Sequence, residues 1–133
     1  MARGDNPTLA VEKAAVGRLG TGIALIAVFW TFSWLQLRPV SDYYFFPLWL
    51  GYILTVDGLL ALRTGTSPVQ RCRWRVVVLF VVSVPLWWLF ELFNQVVGNW
   101  RYHAPVTYTT LEYALLASLS FSTVVPAVLT TTE

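Results

Sequence analysis

Apolar positions gather into four long blocks, separated by short polar turns. The blocks fall at about residues 19–37, 44–62, 76–97 and 107–129. At 1.5 Å of helical rise per residue, each can cross about 30 Å of hydrocarbon. The first block carries no charge, the second holds Asp57, the third Glu91, and the fourth Glu112 near its start. β-Branched residues crowd positions 76–82, but an isolated strand leaves its backbone unpaired in lipid, so a helix is predicted there too. The first block is preceded by some 18 residues, two of them acidic, and no Ala-x-Ala site follows it; a retained helix is expected rather than a cleaved signal peptide. The pattern predicts an all-α integral membrane bundle of four transmembrane helices, with residues 1–133 as a single membrane domain.

Composition sharpens this reading. Hydrophobic residues make up 56% of the chain and charged residues 12%, against roughly 25% charged in soluble domains. Too few polar side chains remain to cover a soluble fold, which excludes a secreted domain, a nucleic-acid binder and a disordered tail. The net charge of +2 is unevenly placed. Arg3, Lys13 and Arg18 precede the first block, and Arg63, Arg71, Arg73 and Arg75 lie between the second and third; only Arg38 and Arg101 fall on the other side. Basic residues concentrate in cytoplasmic loops, so both termini are predicted to be cytoplasmic. Tyr43, Tyr44, Trp100, Tyr102 and Tyr108 then mark the outer interface and Trp74 the inner one.

Short turns such as 38–42 and 63–68 predict sequential helices as antiparallel neighbours. Gly20, Ala24 and Ala27 in the first block, with Gly51 and Gly58 in the second, offer close backbone approach. Pro47, Pro85 and Pro126 are expected to kink their spans. Residues 1–14 read as a polar lead, interfacial or frayed.

Acids inside an apolar block are costly and mark candidate sites. Trp87, Glu91, Asn94 and Gly98 share one helical face, with Gln95 beside it. A face of an acid, a carboxamide and a tryptophan belongs in the bundle or against a partner helix, not against lipid. Glu91 and Glu112 are expected at one level near the outer surface, where Arg101 and His103 can join them. Trp100 and Tyr102 lie on the connecting turn and extend the candidate cavity. Asp57 is expected to pair with Arg63, Arg73 or Arg75. A packing role for Glu91, and simple neutralisation of Glu112 by Arg101, remain open beside the functional reading. One cysteine and one histidine allow neither an intramolecular disulfide nor a thiolate–imidazole zinc cluster. Cys72 reads as a free thiol in a basic loop, and no metal or cofactor is implied.

The order Trp88-Leu89-Phe90-Glu91-Leu92-Phe93-Asn94, Gly98-Asn99-Trp100-Arg101-Tyr102, Leu111-Glu112-Tyr113 and Ser120-Phe121-Ser122-Thr123-Val124-Val125-Pro126 resembles a family of uncharacterised prokaryotic multi-pass membrane proteins. The likeness covers about residues 43–133. It implies a prokaryotic plasma-membrane location and, because relatives continue with further spans, the N-terminal half of a longer protein. A weaker likeness is to membrane lycopene cyclases and related terpenoid cyclases, carried by Glu91, Gly98, Trp100, Tyr102 and Glu112. It implies a carboxylic acid that protonates an alkene or epoxide while aromatic faces from Trp87, Trp88 and Phe121 stabilise the cation. The sequence departs from the cyclases in having Thr110-Leu111-Glu112 where they carry a paired acid.

Three function classes follow. The first is a multi-pass membrane protein working within a larger assembly or a longer chain, with the lipid bilayer and a membrane-protein partner or second copy as its contacts. The second is a membrane enzyme acting on a prenyl or other lipid substrate through Glu91 and Glu112. The third is half of a proton- or cation-coupled transporter. Neither a phosphate-binding glycine loop nor a Ser-His-Asp set is present to suggest a fourth.

Overall fold

The computed structural model describes residues 7–102 and 107–133. These form α1 (Pro7–Trp34), a 3-10 turn (Val40–Asp42), α2 (Phe45–Thr64), a short α3 (Pro68–Cys72), α4 (Arg75–Val97), α5 (Thr110–Phe121) and α6 (Val124–Thr131), with no strand among them. α1, α2, α4 and the α5–α6 pair are each long and apolar enough to cross a membrane. Four apolar helices of this kind fit a membrane protein. The expected polar lead is shorter than the sequence suggests, because α1 begins at Pro7 and carries Glu12 and Lys13 on exposed positions.

Glycine ends the two helices that must turn sharply. Gly65 (φ 77°) closes α2 on the Ala61 carbonyl and Gly98 (φ 63°) closes α4 on that of Asn94. Both sit in the left-handed region, where a side chain would be strained.

α1 and α2 form a tight antiparallel pair. A Cβ on Gly22 would come within 2.6 Å of the Gly51 carbonyl oxygen, and one on Gly58 within 2.9 Å of that of Ala15. Both helices space these positions by seven residues, about two turns, which keeps them on one face. The expected contributors Gly20, Ala24 and Ala27 are not at this seam. A Cβ on Gly20 would meet nothing, and both alanines are exposed. At about 100° per residue, Gly20 lies on the far side of the helix from Gly22.

That crossing also decides the partner of Asp57. The carboxylate is fully buried. Arg18 Nε on α1 stands 2.8 Å from its Oδ2. The Ser67 hydroxyl donates to Oδ2 and the Val69 N–H to Oδ1, both at 2.9 Å. Arg63, Arg73 and Arg75, the expected partners, are all exposed. Close approach of α1 at Gly58 brings Arg18 against Asp57 instead. Arg18 Nε and Nη2 are buried without an aligned hydrogen bond among the described residues, so this contact acts through charge.

The neighbour rule fails once. The fourth span packs against both α2 and α4, which make little direct contact with each other. Tyr52 and Thr131 share a 2.8 Å hydroxyl contact on one side of that span, and Trp88 Nε1 donates to Ser118 on the other at 3.0 Å. α3, about 7 Å of helical rise, provides the sideways step between α2 and α4.

The fourth span is broken rather than continuous. Pro126 has no N–H, and its ring crowds the carbonyl four residues back, at Ser122; the chain leaves α5 at Phe121 and restarts as α6 at Val124. Fully buried Ser83 of α4 enters the gap, donating to the Phe121 carbonyl at 2.5 Å and accepting from the Val125 N–H at 3.0 Å. An uninterrupted helix would have paired those two backbone groups directly. Pro47 falls in the first turn of α2, where a missing N–H costs little, and α4 continues through Pro85.

Candidate functional site

Glu91 lies in the penultimate turn of α4 and works on the loop that follows. Its Oε1 accepts from Trp100 Nε1 at 3.1 Å and from the Tyr102 hydroxyl at 2.6 Å. One turn on, Asn94 grips the Trp100 backbone from both sides, donating to its carbonyl at 2.9 Å and accepting from its N–H at 3.0 Å. The Glu91-x-x-Asn94 spacing puts both side chains on the face toward the returning loop. Their combined effect is a clamp that folds residues 98–102 back against α4.

The clamp builds an aromatic wall. The Trp100 ring stacks on Trp87 with centroids 6.2 Å apart, and Trp87 also meets Phe121 at 5.9 Å. Phe121, buried at the break between α5 and α6, is held from the other side by Trp88 at 5.3 Å, edge to face. Such offset and tilted pairs are the favourable aromatic geometries.

Trp87 and Phe121 of this wall line a partly open cavity of about 240 Å³. Trp87 and Tyr102 come from α4 and its loop, Tyr108 from the approach to α5, and Asp42 and Phe45 from the turn into α2. Tyr113, Leu116, Ala117, Ser120, Phe121 and Val124 complete it as one face of the fourth span, spaced by threes and fours. Among the described residues that line it, six are aromatic, one is acidic and none is basic. Asp42 is mostly buried and has Arg38 Nε 3.6 Å from its Oδ1. Burial holds the Tyr102 phenol above its ordinary range, reinforced by its bond to Glu91. Tyr108 is likewise raised, first by burial and then by the negative charge of Asp42.

Glu112 sits apart from Glu91 in role. It is exposed and closes a capping box at the start of α5: its Oε2 accepts from the Thr109 N–H at 2.9 Å and hydroxyl at 2.8 Å, while Thr109 Oγ1 accepts from the Glu112 N–H. The helix start claims this carboxylate because four N–H groups there lack intrahelical partners. Gln95 and Arg101 are exposed and do not line the cavity. His103 lies outside the described residues. Among the described residues no three of His, Cys, Asp and Glu gather as a metal-holding group. Trp87, Tyr102 and Phe121 are thus the sequence-expected residues that reach the cavity, with Glu91, Asn94 and Trp100 behind them.

Sequence reasoning missed Asp42, Phe45, Tyr108 and Tyr113 among the site residues. Tyr113 carried a usable signal, since the stripe from Tyr113 to Val124 repeats at helical spacing. Asp42 and Phe45 carried none, because only packing brings the start of α2 against α5. No family model, curated protein or solved structure matches this chain.

Proposed function

We propose that this chain is a membrane-embedded binding protein that takes a compact group of a small molecule or lipid into the aromatic cavity. The cavity itself carries this reading. Its volume falls below the ~300–1,000 Å³ of sites that enclose drug-sized ligands, so a headgroup-sized moiety matches it better than a whole prenyl chain. The hydrogen bonding also favours binding over acid catalysis: Glu91 positions Trp100 and Tyr102, and Glu112 caps a helix. Seven basic residues, three before the first span and four between the second and third, support a cytoplasmic location for both ends, which turns the cavity toward the opposite side.

Two measurements test this. Native mass spectrometry of the purified protein should show a bound small molecule or lipid that is lost in Ala117→Phe, where a ring fills the cavity; identical spectra for the two proteins would refute the reading. For orientation, an impermeant thiol reagent added to intact cells should label Asn99→Cys in a Cys72→Ser background and spare the native Cys72. The reverse pattern would invert the topology.

A second reading, membership of a larger membrane assembly, draws on α4. Its span is apolar and almost wholly exposed within the chain, a face open to a second membrane helix as well as to lipid. A mass in detergent equal to one chain under all conditions would count against it.

A further inference from the structure

We infer that the group bound in this cavity is a soft organic cation, a quaternary ammonium above all; this rests on the binding role proposed above and names its ligand class. Three observations converge on it. The wall presents the rings of Trp87, Tyr102, Tyr108 and Tyr113 around one space, and ring faces are the negative end of an aromatic quadrupole. Two carboxylates add charge of the same sign. Asp42 lines the cavity itself, and Glu91 stands directly behind the Tyr102 hydroxyl at 2.6 Å. Among the described residues no basic side chain lines the space, so none there partners an anion such as phosphate.

Arg38 offsets part of the Asp42 charge but does not itself line the cavity. Its Nε stands 3.6 Å from Asp42, beyond hydrogen-bond range, and its side chain is 57% exposed. Arg101 is exposed and does not line the cavity.

The chemistry also separates organic from metal cations. Calcium and magnesium ask for about six or more oxygen ligands, and the lining offers a single carboxylate. A primary ammonium is strongly hydrated and would need several acceptors to replace its water. A quaternary ammonium has no N–H to satisfy and spreads its charge over an apolar surface, which aromatic faces accept. Aromatic cages recognise quaternary ammonium by this logic.

The protein in a maltoside detergent is to be titrated with tetramethylammonium, with choline, and with dimethylbutanol, the uncharged carbon isostere of choline. Binding is read from saturation-transfer nuclear magnetic resonance. Choline and tetramethylammonium are expected to bind at least tenfold more tightly than dimethylbutanol. Asp42→Asn, which keeps shape, should erase most of that preference, and Trp87→Leu should weaken the cations more than the alcohol. Circular dichroism establishes that each variant remains helical, and Asp42→Asn on the surface turn serves if Trp87→Leu does not fold. Equal binding of choline and its isostere, with both lost in Ala117→Phe, would overturn the cation inference and leave the binding role standing. Failure of all probes, together with unchanged native mass spectra for Ala117→Phe, would overturn both. A choline-lipid headgroup and a free solute share this chemistry. Loss of tetramethylammonium binding in phosphatidylcholine nanodiscs, but not in phosphatidylglycerol ones, would assign the lipid; retention in both would assign the solute.

Discussion

The hydroxyl of Ser83 donates to the carbonyl of Phe121, the residue whose ring forms part of the cavity wall. One serine thus splices a broken helix and fixes an aromatic ring. Ser83→Ala should leave the Phe121 carbonyl and the Val125 N–H unpaired in an apolar setting. The expected cost is about 1–3 kcal/mol, read as a lower thermal midpoint in detergent. Ser83→Thr, which keeps the hydroxyl, should recover part of it.

Asp57 should prove structurally demanding. Asp57→Ala removes one side of a buried charge pair and strands Arg18, the Ser67 hydroxyl and the Val69 N–H. A loss of about 3–5 kcal/mol is expected, measured by equilibrium unfolding in mixed micelles. Arg18→Met combined with Asp57→Leu should restore much of the stability, since no uncompensated charge then remains. A destabilisation under 1 kcal/mol for Asp57→Ala would refute the pairing.

The α1–α2 seam gives a paired comparison on one helix. Gly22→Ala places a methyl against the Gly51 carbonyl and should destabilise by about 1–3 kcal/mol through overpacking. Gly20→Ala, two residues away with open space around its Cβ, should be neutral or slightly stabilising, because alanine favours helix over glycine. Equal effects of the two would place the seam elsewhere.

Tyr102 supplies the pH dependence. Its folded pKa is raised above the ordinary value near 10. The stabilisation from its bond to Glu91 is therefore fully present below about pH 10 and is lost as pH rises through the higher folded value. Near-ultraviolet titration should show a late phenolate step that loses one tyrosine's amplitude in Tyr102→Phe, with Tyr108 contributing to the remainder. Glu91→Gln should move that step down toward 10 without abolishing it, because burial, the larger cause, remains. A Tyr102 step at or below the ordinary value would contradict the clamp.

Much was legible in the sequence because lipid imposes a simple rule. Each backbone group must pair within its own segment, so apolar blocks of about twenty residues become helices whatever their neighbours. Length, hydropathy and turn chemistry therefore determined four spans, the turn at 63–68, and the shared face of Glu91 and Asn94. Tertiary structure alone decided which faces meet. Gly22 rather than Gly20 lies at the α1–α2 seam, and Arg18 rather than a nearer arginine holds Asp57, because both depend on how two cylinders are rotated about their axes. The fourth span lies between α2 and α4, an order that loop length does not encode. That placement brings Asp42 and Phe45 against Tyr113 and Phe121, and so makes the cavity. Periodicity along one helix reports which residues share a side, but the partner of that side is set by the packing energy of the whole bundle.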